Sequence, residues 1–191
     1  MDAGYTIGRA APNHLRWLPE IEYAAGRLLV GRGLPESALE AGSDVAELRD
    51  ARRAGLLWVA LTVDSSPVGF ARVGRRDGAA HLDEIDVHPA HGRRGIGTAL
   101  VETVYRWARV DGLSAVTLTT FRNVPWNAPF YARLGFRAVA PRDLSAAAAE
   151  RVRAEAGPGV DPRMRVFMRL DTRASLPDPL PPRSGVRAAG A

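Results

Sequence analysis

Apolar residues recur along the chain in two rhythms, one of period two and one near 3.6, and their order predicts the elements. After a short alternating start at Tyr5–Arg9, Leu15, Leu18, Ile21, Ala25, Leu28 and Leu29 fall at helical spacing, in a helix broken or begun at Pro19. Pro35 to Ala54 reads as helical in one or two pieces, the second capped by Ser43 or Asp44 and turning Val45, Leu48 and Ala51 inward. Leu56–Val63 and Val68–Val73 are strand runs joined by Asp64-Ser65-Ser66-Pro67. Arg76-Asp77-Gly78 then turns into Ala79–Val87, which completes an antiparallel meander.

From Gly95 to Val110, residues Leu100, Val101, Val104, Tyr105, Trp107 and Ala108 follow the helical period, and Asp111-Gly112 closes the helix. A strand at Ala115–Thr120, a short helix near Asn127–Leu134, a strand at Phe136–Ala140, an alanine-rich helix at Asp143–Ala156 and a last strand at Arg165–Leu170 follow. This order predicts an α/β layered sheet with mixed strand directions. Residues 1–170 read as one domain and 171–191, rich in Pro, Ala and Arg, as a disordered tail.

Composition narrows the chemistry. The 191 residues are 46% hydrophobic and 25% charged, ordinary for a globular chain. The chain contains no cysteine, which removes disulfides, thiolate metal sites and cysteine nucleophiles. All 26 cationic residues are arginine, and the surplus begins only after residue 70: residues 1–70 carry 7 Arg against 9 acids, and 71–136 carry 9 against 6. So diffuse an excess argues against a nucleic-acid partner and for an anionic ligand at the middle segment. No run approaches the ~18 apolar residues of a membrane span, and the start lacks a signal-peptide pattern. The expectation is a cytoplasmic protein with no membrane partner. Four scattered histidines without ligand spacing predict no metal.

The stretch Ala79–Leu100 places a strand, a basic glycine-rich turn and a helix in succession, the layout of an anion site. Amides at the helix start and the charges of Arg93 and Arg94 converge there, and Gly95 and Gly97 let backbone approach a phosphate. A P-loop needs a lysine that this chain lacks, and Gly95-Ile96-Gly97-Thr98-Ala99-Leu100 fails the dinucleotide fingerprint at its last position.

Val87-His88-Pro89, four residues Ala90 to Arg93, then Arg94-Gly95-Ile96-Gly97 resemble the acetyl-CoA pyrophosphate loop of the GNAT N-acetyltransferase superfamily. Phe130-Tyr131-Ala132-Arg133-Leu134-Gly135-Phe136 is similar to a second segment of that family. The chain departs from the family at Gly92, where Gln or Arg is usual, and at Asn127, where Ala is common. The resemblance implies a mixed, mostly antiparallel central sheet flanked by helices on both faces. It implies acetyl-CoA as co-substrate and a small-molecule or peptide amine as acceptor, attacked directly in a ternary complex. A homodimer is common in the family.

The same resemblance implies that Arg93, Arg94, Gly95, Ile96, Gly97 and Thr98 hold the diphosphate. The amides of Val87 and Ile85 would meet the pantetheine and the thioester carbonyl, with Asn127 capping the short helix or bonding the pantetheine arm. Tyr131 is the expected acid, also lining the cofactor. For the base, His81 and Asp83 rank first and Glu84 next, while Asp86, His88, His91 and His14 read as ordinary surface or paired residues. Period two puts His81, Asp83 and Ile85 on one strand face and Glu84 and Asp86 on the other, unless a strand irregularity changes the facing. Glu20, Glu22 and Tyr23, in the acid-rich first helices, could meet a cationic acceptor. A non-catalytic acyl-CoA-binding module and an arginine-rich nucleic-acid binder are the competing readings.

Overall fold

A computed structural model of the chain describes residues 4–156 and 159–173. Strands β1 (Tyr5–Arg9), β2 (Leu57–Thr62), β3 (Pro67–Arg76), β4 (Ala79–Val87), β5 (Ala115–Phe121), β6 (Arg137–Ala138) and β7 (Arg165–Asp171) form one sheet in the order β1-β2-β3-β4-β5-β7-β6. Every neighbouring pair is antiparallel except β4 and β5. A parallel neighbour requires a crossover, and α3 (Ile96–Val110) supplies it. The remaining α-helices are α1 (Leu18–Gly26), α2 (Val45–Arg53), α4 (Ala128–Arg133) and α5 (Ala146–Ala156).

Both faces of the sheet are covered, which is why β2 reads as a continuous apolar run. Trp58 and Ala60 of β2 pack with Leu100, Val101, Val104 and Tyr105 of α3, whereas Leu57 and Val59 meet Leu18 and Ile21 of α1 and Leu48 of α2. Burying each such Leu, Val or Ile side chain is worth about 1.5–3 kcal/mol. A third cluster joins Phe121 at the end of β5 to Leu29, Leu34, Ala156, Val160 and Met164. At the start of α2 the Asp44 carboxylate accepts the Ala46 amide at 2.9 Å; Val45, expected inward, is exposed.

Two irregularities shape the middle of the sheet. Opposite β3, Arg72 pairs with Glu84 and Val73 with Leu82, so Asp83 is an extra, bulged residue on β4. On the other side, β4 pairs with β5 only through Ala80, His81 and Leu82, after which the two strands splay apart. The bulge corrects the period-two facing. Leu82, Ile85 and Val87 pack toward the α3 core, and Ile85 is therefore not on the face of His81 and Asp83. Glu84 and Asp86 join His81 and Asp83 on the α1 side, where Glu22 and Glu155 act on them.

Order continues past residue 170. Thr172 is buried, its hydroxyl donates to the Leu113 carbonyl at 2.6 Å, and its own carbonyl accepts from Tyr105. The expected tail beyond residue 173 lies outside the described residues.

Candidate active site

The turn into α3 has the strained geometry its sequence suggests. After Pro89–His91, Arg93 adopts a left-handed φ of 62° and Gly95 one of 81°. Gly95 caps α3 without a side-chain hydrogen bond, and the helical ladder opens with the Ala99 amide to the Gly95 carbonyl. The amides of Ile96, Gly97 and Thr98 precede that first rung and point outward along the helix axis. The Ile96 side chain is itself buried in the core. Arg93 is exposed, while the Arg94 guanidinium donates to the Tyr5 hydroxyl at 2.8 Å, which also bonds His91 Nδ1 at 3.0 Å. The His88 amide donates to Val68 on β3. Antiparallel alternation therefore turns the amides of Val87 and Ile85 the other way, toward the splay from β5.

Glu84 and Asp86 lie on β4 past its last pairing with β5, and their charge reaches the Tyr131 phenol of α4. Burial and the neighbouring Glu22 push the Glu84 carboxyl up to about 7, against the opposing pull of Arg72, a hydrogen bond from Asp86, and Arg165. Burial, Glu84 and Glu22 push Asp86 well above the usual carboxylate range. Two close carboxyls in a desolvated cleft share a proton because the second ionisation is opposed by the first. Tyr131, on α4, is buried, its ring edge-on to Phe130 and Phe136 with centroids 5.0 and 5.6 Å away. Its phenol is also pushed up, by burial and then by Asp86 and Glu84, and so stays protonated at neutral pH. A carboxylate able to accept a proton near neutrality and a loaded phenol thus face one cleft beside a helix N-terminus, which suits proton removal and return around a group-transfer step.

Residues 27–136, more than half of the chain, match the profile of the Acetyltransferase (GNAT) family. The chain belongs to that family. It is an N-acetyltransferase that depends on acetyl-CoA. Its fold is similar to that of the PaiA N-acetyltransferase from Thermoplasma acidophilum, solved with coenzyme A: 16% identity over 87% of this chain and 98% of that one, TM-score 0.66. It is also similar to the ribosomal-protein-S18-alanine N-acetyltransferase from Escherichia coli, at 17% identity over 92% and 98% of the two chains with a TM-score of 0.63. N-acetylglutamate synthase from Neisseria gonorrhoeae, complexed with coenzyme A and N-acetyl-glutamate, shares 15% identity over 90% of this chain but 36% of its own length, with a TM-score of 0.65.

The acetyltransferase separates the residues that sequence reasoning grouped as base candidates. His81 is fully buried, with Nδ1 2.9 Å from the Thr117 hydroxyl, Nε2 3.0 Å from Glu155 of α5, and its ring stacked on Phe167. Asp83 lies 3.4 Å from Arg76. The donor atoms of His81, Asp83 and Glu155 fall within 4.8 Å of one another, and these pairings already engage all three. Asn127 occupies the N-cap position of α4, yet its side chain makes no cap hydrogen bond; its carbonyl accepts from Phe130 and Tyr131 instead. On α1, Glu22 faces the cleft with both carboxylate oxygens 3.0 Å from the Ser43 amide, while Glu20 and Tyr23 are exposed. His14, expected at the surface, is buried and accepts the Ala11 amide at 3.1 Å.

Sequence reasoning did not single out Asp86 or Arg165, both of which act on the Glu84 carboxyl. For Asp86 a signal existed, since it follows Glu84 by two and must share its face. For Arg165 none did: nothing local to Arg165–Leu170 distinguishes it from the other arginines. Among the described residues no helix is long and apolar enough to cross a membrane.

Proposed function

We propose that the chain acetylates a primary amine by direct attack on the acetyl thioester in a ternary complex, with Glu84 as base and Tyr131 as acid. The observation that carries this reading is the bulge at Asp83 beside the β4–β5 splay, which turns Glu84 to the side of Glu22, where burial and that neighbour raise its carboxyl to about 7 and its charge reaches the Tyr131 phenol. The engaged nitrogens of His81 and the Asp83–Arg76 pair favour Glu84 over both alternatives. The diphosphate of the co-substrate would lie against the amides of Ile96, Gly97 and Thr98 and the Arg93 charge, and Arg94 would steady the loop through Tyr5.

In the reaction, Glu84 takes one proton from the acceptor ammonium and the freed amine attacks the carbonyl carbon. The N–C bond forms, and the oxyanion accepts from the outward amides of Val87 and Ile85. As the C–S bond breaks, Tyr131 gives its proton to the sulfur, and its oxygen regains one from the nitrogen that becomes the amide. The products are the acetylated amine, free thiol and one proton left on Glu84. With Glu22, Glu84 and Asp86 at the cleft, a cationic small-molecule or peptide amine is the matching acceptor class. Dependence on acetyl-CoA supports a cytoplasmic place of work.

Calorimetric titration with acetyl-CoA, followed by thiol release across polyamines, aminoglycosides, amino acids and peptide N-termini, tests the reading. Micromolar-range binding and turnover with at least one amine are expected. Binding without turnover on any amine would leave a CoA-binding module, and no binding would remove the reading altogether.

A further inference from the structure

Arg165 opens β7 directly opposite Phe121, the last residue of β5 before the cleft. Its guanidinium carbon lies 4.7 Å above the Phe121 ring, and a terminal nitrogen reaches the Thr119 carbonyl at 3.5 Å. Its Nε is buried with no hydrogen-bond partner among the described residues. The cation is thus held by stacking and by charge rather than by a complete set of hydrogen bonds. The charges that reach it are Glu155, Glu84 and the Tyr131 oxygen. Glu155 is itself fixed by His81, 3.0 Å away, and His81 by Thr117 on the neighbouring strand.

We propose that Arg165 is a positioning residue for acetyl transfer: a guanidinium that stacks on Phe121 at the end of β5, on the face of β7 where Phe167 stacks on His81, and whose charge acts on both the Glu84 carboxylate and the Tyr131 phenol. The proposal rests on the reading of Glu84 as base and Tyr131 as acid. A fixed positive charge in a cleft of low dielectric favours the ionised form of every acid it faces. Here it opposes burial and Glu22, which favour protonated Glu84, acting in the same direction as Arg72 and the Asp86 hydrogen bond, and it steadies the phenolate that forms when Tyr131 gives up its proton. The groups facing Glu84 are Glu22 from α1, Arg72 from β3, Asp86 on its own strand, Tyr131 from α4 and Arg165 from β7. Arg72 is shared with Glu47 of α2 at 3.2 Å, whereas Arg165 also answers to Tyr131, so it is the cation common to both proton-transfer groups.

The test compares Arg165→Gln and Arg165→Lys with the unaltered full-length chain in pH profiles of kcat/KM for thiol release, using the panel amine that turns over fastest. In Arg165→Gln the acidic limb is expected to move up by about one pH unit, a roughly tenfold loss of kcat/KM below the limb that is recovered above it. Arg165→Lys should restore most of the shift, and acetyl-CoA affinity should not change. Equal loss at every pH, or no loss, would overturn the proposal. A 13C titration of glutamate side-chain carboxyls gives a readout free of turnover. The resonance missing from Glu84→Gln is that of Glu84, and its midpoint should rise in Arg165→Gln and return toward the unaltered value in Arg165→Lys. An unmoved midpoint sinks the role of Arg165 alone. If Glu84→Gln keeps full turnover, the assignment of the base fails instead. Should Arg165→Gln not fold, Glu155→Gln is titrated in its place, and loss of the charge that acts on Arg165 is expected to displace the same midpoint.

Discussion

His81 Nε2 and a carboxylate oxygen of Glu155 lie 3.0 Å apart across 74 positions of sequence, tying α5 to the central strand. His81 is fully enclosed and Glu155 about a quarter exposed, so the pair sits where loss of one partner strands the other. His81→Ala is expected to cost about 3 kcal/mol, from the orphaned carboxylate and the cavity beside Phe167. Urea unfolding should show a lower midpoint with an unchanged slope; an unaltered midpoint would mean the pair is dispensable.

The pair also has a pH signature. Although burial works to raise Glu155, hydrogen bonding and charge from His81 prevail and hold its carboxyl below the ordinary value of 4.5. A depressed acid contributes stability that is fully present above its unfolded value and disappears as pH falls through the folded one. Glu155→Gln should therefore be less stable than the unaltered chain at pH 6 and lose less stability between pH 5 and 3. Parallel curves for the two proteins would contradict this.

Glu84 runs the opposite way. Its carboxyl is raised from 4.5 to about 7, so the folded chain holds a proton that the unfolded chain releases. That contribution is present below about 4.5 and lost as pH rises through 7. Glu84→Gln should melt at a higher temperature than the unaltered chain at pH 8 and show a smaller advantage at pH 5. Turnover should fall about 10²- to 10⁴-fold with acetyl-CoA affinity retained. A variant that is slower but no more stable at pH 8 would refute the buried-carboxylate account.

Tyr131→Phe keeps the ring against Phe130 and Phe136, so folding should be preserved. A loss of about a hundredfold in kcat is expected, with little change in acetyl-CoA affinity. Calorimetry alongside thiol release separates the two quantities, and a kcat within a factor of two of the unaltered value would dismiss the phenol as acid.

Arg93 combines exposure, a left-handed backbone and a place beside the α3 amides. Arg93→Gly should stabilise the fold by about 0.5–1 kcal/mol, because glycine adopts that conformation without a Cβ clash. The same change should weaken acetyl-CoA binding and flatten its salt dependence. Titrations at low and high salt check both; undiminished affinity would place the diphosphate elsewhere.

The order of elements was legible because it depends on local spacing. Period two marks β4 at Ala79–Val87, the 3.6 period marks α3, and Gly95 at φ 81° is the residue type its turn demands. The two segments that resemble the family are likewise contiguous, and they sufficed to indicate a GNAT acetyltransferase. Which carboxylate faces the cleft is a different kind of fact. The bulge at Asp83 is defined only by register against β3, and one extra residue reverses the facing of everything after it. Arg165 and Glu155 arrive from the far end of the chain, through pairings that no window of sequence contains. The chain by itself determined the elements and the chemistry they could host, because propensity and pattern act between near neighbours. Only the tertiary structure decided which acids share a cleft, because desolvation and charge act through space.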